Sequence, residues 1–230
     1  MDFKCIKGVL FDVDGTLYNQ SLLRLMMAVT FLIANLFHPK RLLNEARIIR
    51  AYRQAQEILR RSGSEKKKMG QIELVAQALN VPYTRVDTVV KKWMHEKPLV
   101  FLPLCRRRNL EKVIKELHRR GLRLGVYSDY PSREKLKVLQ ILRYMSVIGC
   151  STDLDVRHMK PAPDGFLSVV QKMELSPSEV LYVGDRVDID GLGAIQTGMQ
   201  AAIIKSWPRR KVSSGAYYTI DSLGSLLSQL

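Results

Sequence analysis

Acids, a serine hydroxyl and a lysine suited to reaction chemistry are gathered in four short stretches of the chain. Asp12 and Asp14 follow the apolar run Gly8-Val9-Leu10-Phe11 in KGVLFDVDGTLYNQ; Ser128-Asp129 follow a second apolar run; Lys160 opens KPAPDGF; Asp185, Asp188 and Asp190 lie in VGDRVDID. Side chains two apart on an extended strand point the same way, so a strand continuing through Asp14 would crowd both carboxylates into one space. Like charges that close repel, and one pKa must rise unless a cation lies between them. Acids from two distant stretches could jointly hold a hard divalent cation through oxygen, while Ser128 and Lys160 offer a hydroxyl and an ammonium to phosphate oxygens.

These groups need a scaffold, and the pattern supplies one. Short apolar, β-branched runs alternate with amphipathic stretches, the order of parallel βα units. The expected strands are Val9 to Val13, Arg123 to Tyr127, Val147 to Cys150, Val180 to Val183 and Ala201 to Ile204, with a short last one at Tyr217 to Ile220. Helical spacing marks 109–121, with Asn109 as its cap and Gly121 as its stop, and also 132–142 and 164–173; Asp221 is placed to cap SLGSLLSQL. Open α/β sheets bind ligands beyond the carboxyl ends of their strands, where the four stretches fall.

One region breaks the alternation. Between Tyr18 and Pro98 the patterns are helical only, over 21–37, 39–62, 66–79 and 83–96, punctuated by His38-Pro39, Ser62-Gly63-Ser64 and Val81-Pro82. The expectation is an α/β, Rossmann-like parallel-sheet core of residues 1–17 and 99–230, with a small all-α domain of residues 18–98 inserted after the first strand. LLRLMMAVTFLIANLF, residues 22–37, falls short of the ~20 apolar residues of a spanning helix and contains Arg24, Thr30 and Asn35, so it reads as a buried helix.

The chain of 230 residues is 46% hydrophobic, enough for a sizeable core and unlike a disordered chain. Its net charge of +15 favours anionic partners. Most of the excess sits in residues 18–110, with 18 Lys and Arg against 6 Asp and Glu. Three scattered cysteines, Cys5, Cys105 and Cys150, make no disulfide framework or zinc pair, and Asp12 and Asp14 interrupt the only early apolar stretch, so a cytoplasmic protein is expected. His38, His95, His118 and His158 show no metal-ligand spacing, and Trp93 and Tyr52 read as core.

In their order and at strand ends, the four stretches resemble the motifs of the haloacid dehalogenase-like superfamily: DVDGT as the first, Ser128 as the second, Lys160 in KPAPDGF as the third, VGDRVDID as the fourth. The resemblance implies a Mg²⁺-dependent phosphatase acting on a small phosphorylated metabolite, similar to phosphoglycolate-phosphatase-like members. Asp12 would be the nucleophile that becomes an aspartyl-phosphate, and Asp14 the general acid and base, with a pKa raised by burial among acids. Ser128 and Lys160, with Asp129 beside them in an open role, would hold phosphate; Asp12, the Asp14 backbone carbonyl, Asp185 and a second acid would hold Mg²⁺. Asp188 and Asp190 compete for that second place, and the position of TGM at 197–199 favours Asp190. An acid at the place of Asp14 separates phosphoester chemistry from dehalogenation in the family. Gly15 would permit the turn's backbone conformation and Thr16 brace it.

The inserted helices resemble the superfamily's cap, which closes over the site and sets specificity. Lys66-Lys67-Lys68, Arg60-Arg61, Lys91-Lys92 and Arg106-Arg107-Arg108 could line a path for an anionic ligand, although charge runs usually face solvent. Two other readings stand beside the phosphatase. A phosphomutase shares the first motif; alternatively the basic insert serves a protein that binds nucleic acid or an acidic membrane surface, with a lipid-linked or polymeric phosphate as an intermediate case. Composition fixes no oligomeric state.

Overall fold

The computed structural model describes residues 5–62, 70–205 and 217–230, with the backbone alone at 61 and 62. It divides into two compact units, Gln20–Cys105 and the remainder. In the second of these, six strands form one parallel sheet in the order β3-β2-β1-β4-β5-β6: β1 Gly8–Phe11, β2 Arg123–Ser128, β3 Val147–Cys150, β4 Val180–Gly184, β5 Gln200–Ile204 and β6 Tyr218–Ile220. The fold is an α/β, Rossmann-like one, and its strands are apolar because helices bury them; every residue of β1 and β4 is buried. Leu10, Tyr127, Phe166, Val169, Val180 and Tyr182 belong to the core under one face.

β1 lies centrally, with Phe11 in register with Val126 of β2 and Val183 of β4. It stops at Phe11, short of the expected Val13, although the Asp12 amide still donates to the Val183 carbonyl at 2.8 Å. Beyond it the chain turns, the Leu17 amide donating to the Val13 carbonyl at 3.1 Å, with Gly15 at φ +100° in the left-handed region that glycine tolerates. Helices α6 (Leu110–Arg119), α7 (Arg133–Val138), α8 (Pro163–Lys172) and α9 (Leu192–Gln196) complete the unit. The stretch expected as one helix over 132–142 is shorter because Gln140 sits at φ 63°. Ser222, not Asp221, precedes the final helical turn at Leu223–Ser228; Asp221 instead meets Lys205 Nζ at 2.8 Å.

The helical unit comprises α1 (Gln20–Ala34), α2 (Pro39–Ser62), α3 (Gln71–Leu79), α4 (Tyr83–Val90), a π-helical turn over Lys91–Glu96, and α5 (Lys97–Cys105). Pro39 starts α2 where a missing N–H costs nothing, and Asn80 ends α3 in the left-handed conformation. The helix expected to end at 96 runs on through the π turn, in which the Lys97 amide bonds the Lys92 carbonyl; this wider turn leads into the proline-containing α5. Glu45 is buried among Ile48, Tyr52, Val86 and Trp93, accepting from Trp93 Nε1 at 2.7 Å and Arg41 Nε at 2.9 Å. Trp93 and Tyr52 are core, as read from the sequence.

The expectation of a buried helix over 22–37 is overturned. Within α1 only Leu23 is buried, while Leu25, Val29, Leu32 and Ile33, and Leu36 and Phe37 after its end, are exposed. A helix apolar all round buries only the side a neighbour covers, and α5 covers one side of α1. Ser62-Gly63-Ser64 and Lys66-Lys67-Lys68 fall, wholly or in part, outside the described residues.

Candidate active site

Parallel pairing of β1, β2 and β4 sets Asp12, Ser128 and Asp185 at the same end of adjacent strands. Asp12 is 7% exposed; its Oδ1 accepts from Lys160 Nζ at 2.8 Å and its Oδ2 from Thr16 Oγ1 at 3.0 Å. Lys160 is buried and also donates to Asp190 Oδ1 at 3.1 Å and Tyr182 Oη at 2.6 Å, so all three ammonium protons have acceptors. Burial alone would lower Lys160, but the charges of Asp12 and Asp190 outweigh it and hold the ammonium well above its usual range. Asp12 is raised well above the ordinary carboxylate range by burial, with Asp190 and Asp185 adding to it against the pull of Lys160.

Asp12, Asp185 and Asp190 each offer an oxygen within 4.8 Å of the others. Burial, followed by the charge of Asp190, pushes Asp185 up to about 6. Asp190 folds back over its own loop, its Oδ2 accepting from the Arg186 amide at 3.1 Å and the Asp185 amide at 3.3 Å. Glycine is needed where these acids approach the backbone: a Cβ on Gly184 would lie 2.4 Å from Asp190 Cβ, and one on Gly15 2.3 Å from Asp185 Oδ2. Three buried or half-buried carboxylates with one lysine to balance them suit a hard divalent cation. Asp188, the competing acid, is instead exposed and paired with Arg186 Nη2 at 2.6 Å.

The carboxylate of Asp14 takes other partners, Lys135 Nζ at 2.6 Å and Tyr18 Oη at 2.5 Å. The expectation of a raised pKa is overturned here: burial pushes Asp14 up, but the charge and hydrogen bond of Lys135, then the Tyr18 hydroxyl, outweigh it and leave Asp14 below its usual value. The crowding suggested by the spacing of Asp12 and Asp14 does not arise, because the strand ends before either. Ser128 is buried at the last position of β2, and Asp129 Oδ1 accepts from Ser151 Oγ at 3.4 Å while its charge reinforces that of Lys160.

Four residues of this site were missed by sequence reasoning. Tyr182, in the middle of an apolar strand, had no polar signal beyond its hydroxyl. Tyr18 lies in the first stretch but two residues past DVDGT, and Lys135 lies outside all four stretches. Arg107, grouped with a charge run, donates to the Gly15 carbonyl at 2.6 Å and the Thr16 carbonyl at 3.1 Å and so fixes the turn after β1.

Comparison with known proteins agrees with this geometry. The family described as hydrolase, haloacid dehalogenase-like hydrolase, matches residues 6–198. A glyceraldehyde 3-phosphate phosphatase of Methanopyrus kandleri is 27% identical over 207 residues, 87% of this chain and 84% of that protein. A phosphoglycolate phosphatase of Escherichia coli is 27% identical over 212 residues, 84% of this chain and 79% of that protein. Among solved structures, a magnesium-bound HAD-hydrolase of Bacillus subtilis superposes with a TM-score of 0.68 at 16% identity, over 97% of each chain. With most of its length matched by the family pattern and its acids converging at the strand ends, this chain belongs to the haloacid dehalogenase-like hydrolases and is an enzyme of that family.

Proposed function

We propose that the chain is a Mg²⁺-dependent phosphatase that hydrolyses a phosphate monoester of a small metabolite through an aspartyl-phosphate on Asp12. The observation that carries this reading is the meeting of Asp12, Asp185, Asp190 and Lys160 in one buried cluster. The named activities of the two phosphatases above point to the same class of small phosphorylated substrate.

Asp12 attacks phosphorus through a carboxylate oxygen, forming one P–O bond as the ester P–O bond breaks. Asp14, in its protonated form, gives its proton to the departing alkoxide; water then attacks the acyl phosphate and returns a proton to Asp14, releasing inorganic phosphate. Lys160 keeps Asp12 oriented and, with Ser128, neutralises charge on the transferring group. Asp12, Asp185, Asp190 and the Asp14 main-chain carbonyl would hold a divalent cation, which would supply neutralisation of the charge that carboxylate and phosphate bring together. Asp14 rests as an ion pair with Lys135, so its work as an acid requires that pairing to loosen as substrate enters.

Hydrolysis of 4-nitrophenyl phosphate tests the reading. Asp12→Asn, which keeps shape and removes the nucleophile, is expected to lower kcat by roughly a thousandfold or more with the circular dichroism spectrum unchanged. Retained turnover, or conversion of a sugar phosphate to its isomer without release of inorganic phosphate, overturns it.

A further inference from the structure

The helical unit carries a run of exposed large apolar side chains. Leu25, Val29, Leu32 and Leu36 recur at helical spacing along one side of α1 and its C-terminal turn, all exposed, beside Ile33 at 69% and Phe37 at 87% exposure. Val100 and Leu104 are exposed on α5, which packs against α1. α1 contains no acidic residue, and Arg24, Lys40 and Lys97 are exposed on or near it; of the exposed acids nearby, Glu57 is engaged by Arg60 and Glu96 by Lys91.

A second feature adjoins the first. Between α1, α2 and the π turn lies a groove of about 820 Å³, with Met27, Phe31 and Trp93 among its apolar walls and Arg24, Arg50 and Arg53 on its lining. Among the described residues none of these three arginines has a carboxylate partner. Glu57, the acid of the groove, is engaged by Arg60 at 2.6 Å. Partial burial and the neighbouring Arg24 both work against the charge of Arg53, which an incoming anion would relieve.

We infer that this face of the helical unit docks on an anionic phospholipid bilayer, the apolar stripe of α1 lying in the interface and the groove arginines taking lipid phosphate headgroups. No helix among the described residues is long and apolar enough to cross a membrane, so α1 lies in the plane rather than spanning it. A second copy is the poorer occupant. A two-fold interface sets the same patch against itself and gathers Arg24, Lys40 and Lys97 of both copies at one contact, whereas anionic lipid neutralises them. The inference stands on the helical unit alone and does not depend on the phosphatase reading.

Co-sedimentation of the full chain with vesicles tests it. Binding is expected to phosphatidylcholine–phosphatidylglycerol vesicles and not to phosphatidylcholine alone, and to weaken as salt rises. Leu32→Glu/Ile33→Glu, on exposed positions, is expected to reduce binding by roughly tenfold or more, and Arg50→Glu/Arg53→Glu to do likewise, with helix content retained by circular dichroism. Equal binding to neutral vesicles, or none, overturns the proposal. So does a dimer that the Leu32→Glu/Ile33→Glu chain cannot form and that fails to bind lipid. Release from vesicles by inorganic phosphate, but not by chloride of matched ionic strength, reassigns the groove to a soluble anion and overturns the lipid assignment.

Discussion

Lys135 Nζ lies 2.6 Å from Asp14 Oδ1, and this contact sets the protonation of the residue proposed as the acid. An opposite charge at such range lowers a carboxyl, so Lys135→Met is expected to raise Asp14 and move the alkaline limb of the kcat profile to higher pH. The sign follows because a general acid must be protonated to act. A limb that does not move would show that Asp14 is not the titrating acid.

Asp185, proposed above as a cation ligand, is expected to link metal affinity to pH. Its folded-state pKa is raised to about 6, so the metal-free protein gains stability from its protonation at low pH and loses that gain as pH rises through about 6. A divalent cation requires the carboxylate and reverses the trend. The rise in melting temperature on adding Mg²⁺ should therefore grow as pH passes through about 6, and Asp185→Asn should flatten that growth. Scanning fluorimetry across the range checks it; a pH-independent rise in both chains refutes it.

Tyr182 Oη accepts from Lys160 at 2.6 Å and lies 3.2 Å from both Asp190 Oδ1 and the Tyr127 carbonyl. Tyr182→Phe leaves one buried ammonium proton without its acceptor, at a cost of about 1–3 kcal/mol in unfolding free energy. Because the ammonium also holds Asp12, kcat should fall together with stability, while Phe at a surface tyrosine such as Tyr83 should change neither. Urea denaturation and steady-state kinetics separate the two.

Glu45 ties the helical unit together through Arg41 and the Trp93 indole. Glu45→Gln keeps the volume but weakens charge-assisted hydrogen bonds, with an expected loss of about 1–3 kcal/mol. Hydrogen exchange should quicken in α2 and α4 before it quickens in the sheet. Uniform exchange across the chain would mean the two units unfold as one.

The sheet was legible because buried parallel strands advertise themselves as apolar runs, and Arg123–Ser128 and Val147–Cys150 needed little beyond composition. Asp12 and Asp185 were legible because they sit at strand ends, where polar residues interrupt those runs, and Asp190 because it follows in the helical turn after β4. What escaped the sequence depends on contacts between distant segments. Nothing local in Lys135 announces Asp14, and nothing in Tyr182, flanked by apolar residues of β4, announces Lys160. α1 failed for another reason: its hydrophobicity gave the helix, but whether a neighbour covers each side is decided elsewhere in the chain.

The turn after β1 has a consequence for how such a chain tolerates change. Tyr18 and Arg106 pair as an isolated antiparallel bridge, and the Arg107 amide bonds the Leu17 carbonyl at 3.2 Å, so the two ends of the helical excursion are stitched together at its root. The sheet therefore experiences that whole excursion as a tight hairpin, fastened at the base whatever hangs from it. Helices there can be lengthened, exchanged or excised while the root stays closed and the strand ends that carry Asp12 and Asp185 stay in register.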